Sequence, residues 1–281
     1  MQAIKESRDL VLTDADFERV RKLIYARAGI ALAEHKREMV YSRLAKRLRS
    51  YGMQRFVDYL AMLEADENND EWEHFTNALT TNLTSFFRES HHFPLLAEHA
   101  RKANGGKFKV WCSAASTGEE PYSIAMTLRE AMGSGNAASL LATDIDTSAL
   151  AKARAGVYAD NQVSKISDEQ LKRFFQKGKG ARAGMVRAQD NLRSMITFEQ
   201  LNLLAPRWDI EGPFDVIFCR NVMIYFDKPT QARILERFAT YLKPDGLLFA
   251  GHSENFSYIT KVFKLRGHTV YELAQQGRAS A

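Results

Sequence analysis

Two stretches about a hundred residues apart set the tightest limit on what this chain can fold into. They are 111–122, Trp-Cys-Ser-Ala-Ala-Ser-Thr-Gly-Glu-Glu-Pro-Tyr, and 214–226, Phe-Asp-Val-Ile-Phe-Cys-Arg-Asn-Val-Met-Ile-Tyr-Phe. Each starts as a short apolar run of β type and breaks abruptly into small or polar residues. In an open parallel α/β sheet, ligands sit outside the carboxyl ends of the strands, where such breaks fall. The small residues of 113–118 let backbone approach a bulky ligand. The helix that follows opens with Glu119 and Glu120, a poor start for a phosphate site, whose helix dipole is there to receive negative charge. A cationic ligand fits better, and S-adenosylmethionine, with its sulfonium and ammonium, has that chemistry.

The remaining chain divides by rhythm. The first ninety residues read as helices. Thr13 or Asp14 caps the first, whose face carries Phe17, Val20 and Ile24 and which Gly29 ends. A second spans about 34–51 with the stripe Val40, Leu44, Leu48 and Tyr51, stopped by Gly52. Phe56, Tyr59, Leu60 and Leu63 mark a third, and Trp72, Phe75 and Leu79 a fourth, after a polar turn at 66–70. From Lys107 strands alternate with helices, the signature of a parallel sheet. Strands are predicted near 108–113, 139–144, 196–201, 214–219 and 246–251, with helices at about 119–132, 146–155 and 228–242. Lys243-Pro-Asp-Gly246 has turn composition. A hairpin of 263–266 and 269–273, joined by Gly267 and His268, finishes the sheet. The stretch 156–194 is a long crossover, with a short helix at 168–175 and a Gly- and Lys-rich turn at 177–184, and a crossover of that length usually has a function of its own. The expected division is a helical domain with linker at 1–90 and an α/β domain at 91–281 that carries the inserted subdomain.

Composition excludes several classes. At 45% hydrophobic, with 17 Phe and 10 Tyr, the 281 residues can bury a real core. No apolar run approaches the roughly 18 residues of a membrane span, and the polar start is no signal peptide, so a cytoplasmic protein is expected. The two cysteines, Cys112 and Cys219, lack metal-ligand spacing and end strands expected to be neighbours at the sheet centre. They read as small buried hydrophobes rather than nucleophiles. His91, His92 and His99 match no metal motif and suit capping or surface positions, so no metal is expected. The net charge of +5 and pI of about 9.1 point to an acidic partner, nucleic acid or protein. Asp144, 26 residues after Gly118, stands where an acidic group bonds ribose hydroxyls, although it could instead cap the helix at 147, a task Asp146 or Thr147 could also take. The Gly-x-Gly-x-x-Gly pattern of dinucleotide sites is missing, its place held by Ser113, Ala115 and Gly118.

Four strings carry a resemblance. They are 77–89 (Asn-Ala-Leu-Thr-Thr-Asn-Leu-Thr-Ser-Phe-Phe-Arg-Glu), 114–122, 218–226 and 248–256 (Leu-Phe-Ala-Gly-His-Ser-Glu-Asn-Phe). In this order the chain resembles the bacterial chemotaxis receptor methyltransferase family, CheR, over about residues 12–273. The resemblance implies a class I S-adenosylmethionine-dependent methyltransferase: a Rossmann-like mixed sheet with an N-terminal all-helical domain and a small inserted β-subdomain. It implies methyl transfer to glutamyl side chains of chemoreceptors, with S-adenosylhomocysteine as product.

Matched motif by motif, the resemblance implies cofactor contacts at Asn82, Thr84, Arg88, Glu119, Asp144, Asn202, Leu203, Arg220 and Asn221. Glu119 suits the ammonium, Asp144 the ribose, and Asn202-Leu203 the adenine. Arg88 and Tyr225 are implied to hold the substrate carboxylate or shape its approach, although Arg88 could be a surface ion-pair residue and Tyr225 core beside Phe226. A glutamate with a pKa of about 4.3 is already ionised at neutral pH, so the reaction needs orientation and water exclusion rather than a base. On the second helix Lys36, Arg43 and Arg47 share a face, with Lys46 beside it. By itself that face reads as solvated. The acidic receptor helices implied by the resemblance favour docking there. In this family the inserted segment can also pair with a receptor's C-terminal pentapeptide. A monomer without nucleic-acid binding is expected. The other readings are an RNA or small-substrate methyltransferase, which the basic charge suggests but no base-stacking aromatic motif supports, and a non-catalytic module that senses S-adenosylmethionine.

Overall fold

The computed structural model describes residues 10–103, 107–133 and 138–274. The chain forms two compact units that meet in sequence at Thr81 and Asn82. Residues 82–90, which the sequence reading grouped with the helical domain, thus pack as part of the second unit.

The first unit contains α1 (Asp14–Ala28), α2 (Arg37–Ser50), α3 (Phe56–Ala65) and α4 (Glu71–Leu79). Thr13 caps α1 through a reciprocal box with Asp16, and Gly29 ends it in the left-handed conformation at φ 70°. Phe17, Val20, Ile24, Val40, Leu44, Leu48, Phe56, Tyr59, Leu60, Leu63, Trp72, Phe75 and Leu79 are all buried. Tyr51, expected in the α2 stripe, instead stands at the helix end and is 45% exposed.

The second unit opens with α5 (His92–Lys102), β1 (Phe108–Cys112), α6 (Glu119–Met132), β2 (Ala138–Asp144) and α7 (Thr147–Ala155). The crossover supplies β3 (Val157–Ala159), α8 (Asp168–Phe174), β4 (Phe175–Lys177), β5 (Met185–Ala188) and α9 (Asp190–Arg193). The chain returns through β6 (Ile196–Gln200), β7 (Phe214–Cys219), α10 (Lys228–Tyr241), β8 (Leu242–Ala250), β9 (Phe263–Gly267) and β10 (Val270–Leu273). Seven strands form one sheet in the order β6-β2-β1-β7-β8-β10-β9, parallel except for β10, which runs against both β8 and β9. The inserted strands form a separate antiparallel sheet, β3-β5-β4. The turn expected at Lys243–Gly246 is absorbed into β8 as an irregularity, since the partner of β7 jumps from Leu242 to Leu247.

Central position explains the strand compositions. All six residues of β7 are buried, as a strand covered on both faces requires. Along β1 the side chains alternate: Val110 and Cys112 join the core formed with α5 and α6, and Trp111 joins Trp208, Phe214 and Phe238 on the other face. From β1 the chain winds outward through β2 to β6 and then returns to β7. The strand order therefore reverses between β1 and β7, and the loops at 113–118 and 220–226 both leave from that point, the usual ligand position in such sheets.

Candidate active site

The loop after β1 is tied to both neighbouring strands: Ser113 N–H donates to Phe218 O and Ala115 N–H to Thr143 O, each at 2.9 Å. Ser116 takes φ 48°, and Gly118 φ 101°. A Cβ on Gly118 would lie 2.5 Å from Tyr158 Oη and 2.9 Å from Ala153 Cβ. This glycine is needed for packing against α7 and β3, a different reason from the ligand approach expected of the loop.

Asp144 ends β2. Its Oδ2 accepts Ser116 N–H at 2.7 Å and its Oδ1 accepts Asp146 N–H at 2.9 Å. Capping of α7 falls to Asp146, which accepts Ala149 N–H, so Asp144 keeps a further lone pair on each oxygen. Burial pushes the Asp144 carboxyl up to about 6, aided by the Asp146 charge and opposed by the backbone N–H groups of Asp146, Ser116 and Ile145. Glu119, 3% exposed, accepts Thr117 Oγ1 at 2.6 Å through Oε2, and its Oε1 takes no hydrogen bond among the described residues. Asn82 braces this corner: Nδ2 donates to Asp146 Oδ2 at 2.6 Å and Oδ1 accepts Ser116 Oγ at 3.0 Å.

The segment that carries Asn82 is anchored by Phe86, fully buried edge-on against Tyr158 and Phe175. Thr84 is half-buried there. Phe87 and Glu89 both take positive φ, 50° and 52°, which is uncommon for such residues and clusters at functional sites. Arg88 is half-buried, and its Nη1 donates to Leu83 O at 2.8 Å. It is therefore not the free surface ion-pair residue of the alternative reading.

Arg220, at the end of β7, lies in a buried charge cluster. Its guanidinium is 2.9 Å from Glu120 Oε2 and 3.4 Å from Glu89 Oε2, and Nη2 donates to Arg88 O. Nε and Nη1 nevertheless have no well-aligned hydrogen-bond acceptor. Burial raises Glu120 despite Arg220; for Glu89, Arg220 and His252 outweigh burial and hold it low. Asn221 takes φ 58°, its Nδ2 donates to Glu89 at 3.3 Å, and Tyr225 follows in a short 3-10 turn, Met223–Tyr225. The Tyr225 ring is half-buried, and its hydroxyl has no partner among the described residues. Asn202 accepts Leu204 N–H at 2.9 Å, and Leu203 is buried in the core beside Leu201 and Trp208.

Several expectations need correction. His92 is neither capping nor exposed: it is fully buried, its Nε2 within 2.9 Å of His268 O, and burial next to Arg220 lowers it to about 4. His91 is exposed at the N-cap of α5 but makes no side-chain cap bond. Ligand atoms of Glu89, His91 and His92 lie within 4.8 Å of one another, yet Arg220 and the positive end of α5 share that space and oppose a cation. The cysteines are free and buried on opposite faces of the sheet, and burial pushes both thiols up. Most consequential, the face of α2 is partly occupied. Arg43 donates to Ala78 O and Thr80 O, and Arg47 is bound to the buried Glu71. Lys36 and Lys46 are exposed as expected. Glu89 and Glu254 were given no role by sequence reading, and Glu120 only that of an acidic helix start beside Glu119. Only their place in the strings 77–89 and 248–256 pointed to Glu89 and Glu254.

Comparison with known proteins decides the family. The CheR methyltransferase all-alpha domain matches residues 15–80, and the CheR methyltransferase SAM binding domain matches 82–272. The chain belongs to the CheR methyltransferase family. It is 58% identical over 268 residues to the chemotaxis protein methyltransferase of Klebsiella aerogenes (95% of this chain, 92% of that one). It is 55% identical to that of Salmonella typhimurium (97% and 94%) and 50% identical to chemotaxis protein methyltransferase 2 of Pseudomonas aeruginosa (93% and 94%).

The second unit is thus a CheR S-adenosylmethionine-binding domain on a class I methyltransferase fold, and its donor set fits that molecule. Glu119 Oε1 offers a buried acceptor to an ammonium, Asp144 offers two lone pairs to a ribose diol, and the unsatisfied Arg220 N–H groups suit a carboxylate. No helix among the described residues is long and apolar enough to cross a membrane.

Proposed function

We propose that this CheR enzyme methylates glutamate side chains of chemoreceptors in the cytoplasm, forming glutamyl methyl esters. The observation that carries the reading is a pair of carboxylates, the buried Glu119 and the half-buried Asp144, at the ends of adjacent elements with acceptor capacity to spare. Bound S-adenosylmethionine supplies a methyl group on a cationic sulfonium. Glu119 holds its ammonium, Asp144 its ribose hydroxyls, and Asn202 and Leu203 its adenine. Asn82, Thr84, Arg88, Arg220 and Asn221 complete the contacts, with Asn82 acting chiefly by bracing Ser116 and Asp146. The substrate carboxylate arrives ionised, so the protein has to orient it and keep water out. Arg88 supplies a cation for it, and Tyr225 a hydroxyl with no competing partner.

The exposed Lys36 and Lys46, with what remains accessible of Arg43 and Arg47, form the docking charges for acidic receptor helices. The inserted sheet has two open edges, β3 and β4, to which a receptor's C-terminal pentapeptide could add as a strand. The protein acts as a monomer and does not engage nucleic acid.

The test is transfer of labelled methyl to receptor membranes, followed by mild base. Label released as methanol is the expected result. Base-stable label, or label in RNA, would reject ester formation, and cofactor binding without any transfer would favour a sensing module.

A further inference from the structure

Glu254 lies in the loop after β8, 4% exposed, and reaches the loop that follows β7. Its Oε2 accepts the N–H of Asn221 at 2.9 Å and of Gly251 at 2.6 Å. Its Oε1 accepts Val222 N–H at 3.0 Å and Met223 N–H at 2.8 Å. Four backbone donors thus converge on one carboxylate. The left-handed Asn221 followed by Val222 at φ −121°, ψ −33° turns successive N–H groups inward, the geometry of an anion-binding nest. In this protein the chain's own side chain fills the nest. The fit is close: a Cβ on Gly251 would lie 2.8 Å from Glu254 Oε2 and 2.6 Å from Asn221 Nδ2.

What the nest holds is the turn between two site residues. Tyr225 N–H donates to Val222 O at 3.1 Å, and Gln231 Nε2 holds Met223 O and Phe226 O at 2.8 Å each. The turn is clamped from one side by Glu254 and from the other by Gln231. We propose that Glu254 is a positioning residue for methyl transfer, fixing the turn that carries Asn221 at one end and Tyr225 at the other. This rests on the catalytic reading of Tyr225 given above. The role requires a carboxylate, because only an acceptor-only group can serve four N–H donors; a glutamine would aim its own N–H₂ at two of them. A second consequence is selective. With these amides occupied, a substrate carboxylate cannot use them as an oxyanion site and must be held by side chains.

The experiment compares Glu254→Gln and Glu254→Ala with wild type in receptor methylation, scaled to S-adenosylhomocysteine binding sites counted by calorimetry. Hydrogen bonds to a charged group are worth about 1.5–3 kcal/mol, so kcat per binding site should fall about ten- to hundredfold in Glu254→Gln. KM for the receptor should stay within about threefold, as for a loss felt at the reacting groups rather than in docking. The alanine variant removes the equivalent of one acetate, so added acetate should restore part of its kcat and do nothing for Glu254→Gln. A merely structural glutamate would lower the number of binding sites and leave kcat per site at the wild-type value, which would overturn the proposal, as would an acetate-insensitive, folded Glu254→Ala. If the alanine variant does not fold, Glu254→Gln decides. Amide hydrogen exchange at 221–223 needs no methyl acceptor: protection lost in Glu254→Gln supports the clamp, and protection kept overturns it. An inactive wild type would count against the methylation reading alone.

Discussion

In the helical unit Arg47 meets Glu71; in the sheet unit Arg220 meets Glu89 and Glu120. Both arginines press on buried carboxylates, but the first cluster is closed. Glu71, fully buried, accepts two bonds from Arg47 and one each from Tyr59 (2.7 Å) and Tyr51 (3.1 Å). Burial works to raise Glu71, yet the hydrogen bonds from Arg47 and Tyr59 outweigh it and hold the carboxyl below its ordinary range. The second cluster stays open. Two carboxylates share one guanidinium, Nε and Nη1 lack aligned acceptors, and Glu120 remains raised. Positive φ at Phe87, Glu89 and Asn221 concentrates around it. A satisfied ionic cluster fixes a fold, and an unsatisfied one next to a switch point keeps bonding capacity for a ligand.

Breaking the closed cluster should have the largest effect. Arg47→Met leaves Glu71 buried and without its cation, which costs about 3 kcal/mol, the lower end of the usual range because the guanidinium reaches solvent. Glu71 is held low, so its contribution is full above the unfolded carboxyl range and is lost as pH falls through its folded value. Arg220→Met should cost less, about 1–2 kcal/mol, because Glu120 is already raised and can take up a proton instead of remaining charged. It should, however, weaken S-adenosylhomocysteine binding by about tenfold, as for loss of one charged hydrogen bond. Urea titrations and calorimetry of both variants check the pair. Equal stability losses, with cofactor affinity untouched by Arg220→Met, would erase the distinction.

Asp144 tests the open site by pH. Its folded value of about 6 lies above the ordinary aspartate value of about 3.9, so the folded chain binds the extra proton between these limits, and stability drains away as pH rises through that window. Ribose hydroxyls favour the ionised form and reverse that cost. S-adenosylhomocysteine should therefore bind progressively more weakly as pH falls below about 6, by up to about tenfold per pH unit. Asp144→Asn should bind more weakly at pH 7.5 and show a flat profile from 5 to 7.5. A wild-type profile that is equally flat would remove Asp144 from the ribose.

The sequence made the sheet and the switch-point loops legible because both are local. Short apolar runs of β type ending in 113–118 and 220–226 name the strands and where they stop. The helical unit was equally plain from its stripes, although the charges upon it were not. Periodicity puts Arg43 and Arg47 on one face with Lys36, but Glu71 and the carbonyls of Ala78 and Thr80 that occupy them lie 24 to 37 residues away. His92 was misplaced for the same reason, since its acceptor at His268 is 176 residues distant. Glu254 was invisible on a further ground: its four partners are main-chain N–H groups, which every residue but proline carries and no motif records. At Lys243–Gly246 the residues of turn composition are skipped by the β7 pairing and bulge within β8 instead of ending a strand.

The smallest expected effect concerns the exposed remainder of the α2 face. Because Arg43 and Arg47 are bound within the helical unit, replacing them would confuse docking with unfolding. Lys36 and Lys46 are free of that difficulty. Exposed charges at a rim are worth about 0.2–1 kcal/mol and act mostly on encounter rate. Lys36→Ala with Lys46→Ala should thus lower receptor methylation by roughly two- to fivefold at low salt, with the gap closing as ionic strength shortens the screening length. Melting and S-adenosylhomocysteine affinity should match wild type, since both lysine side chains are exposed and neither is part of the helical unit's core. Receptor methylation across a salt series decides. Parallel curves of equal height would make this face merely solvated and would place the docking charge elsewhere on the chain.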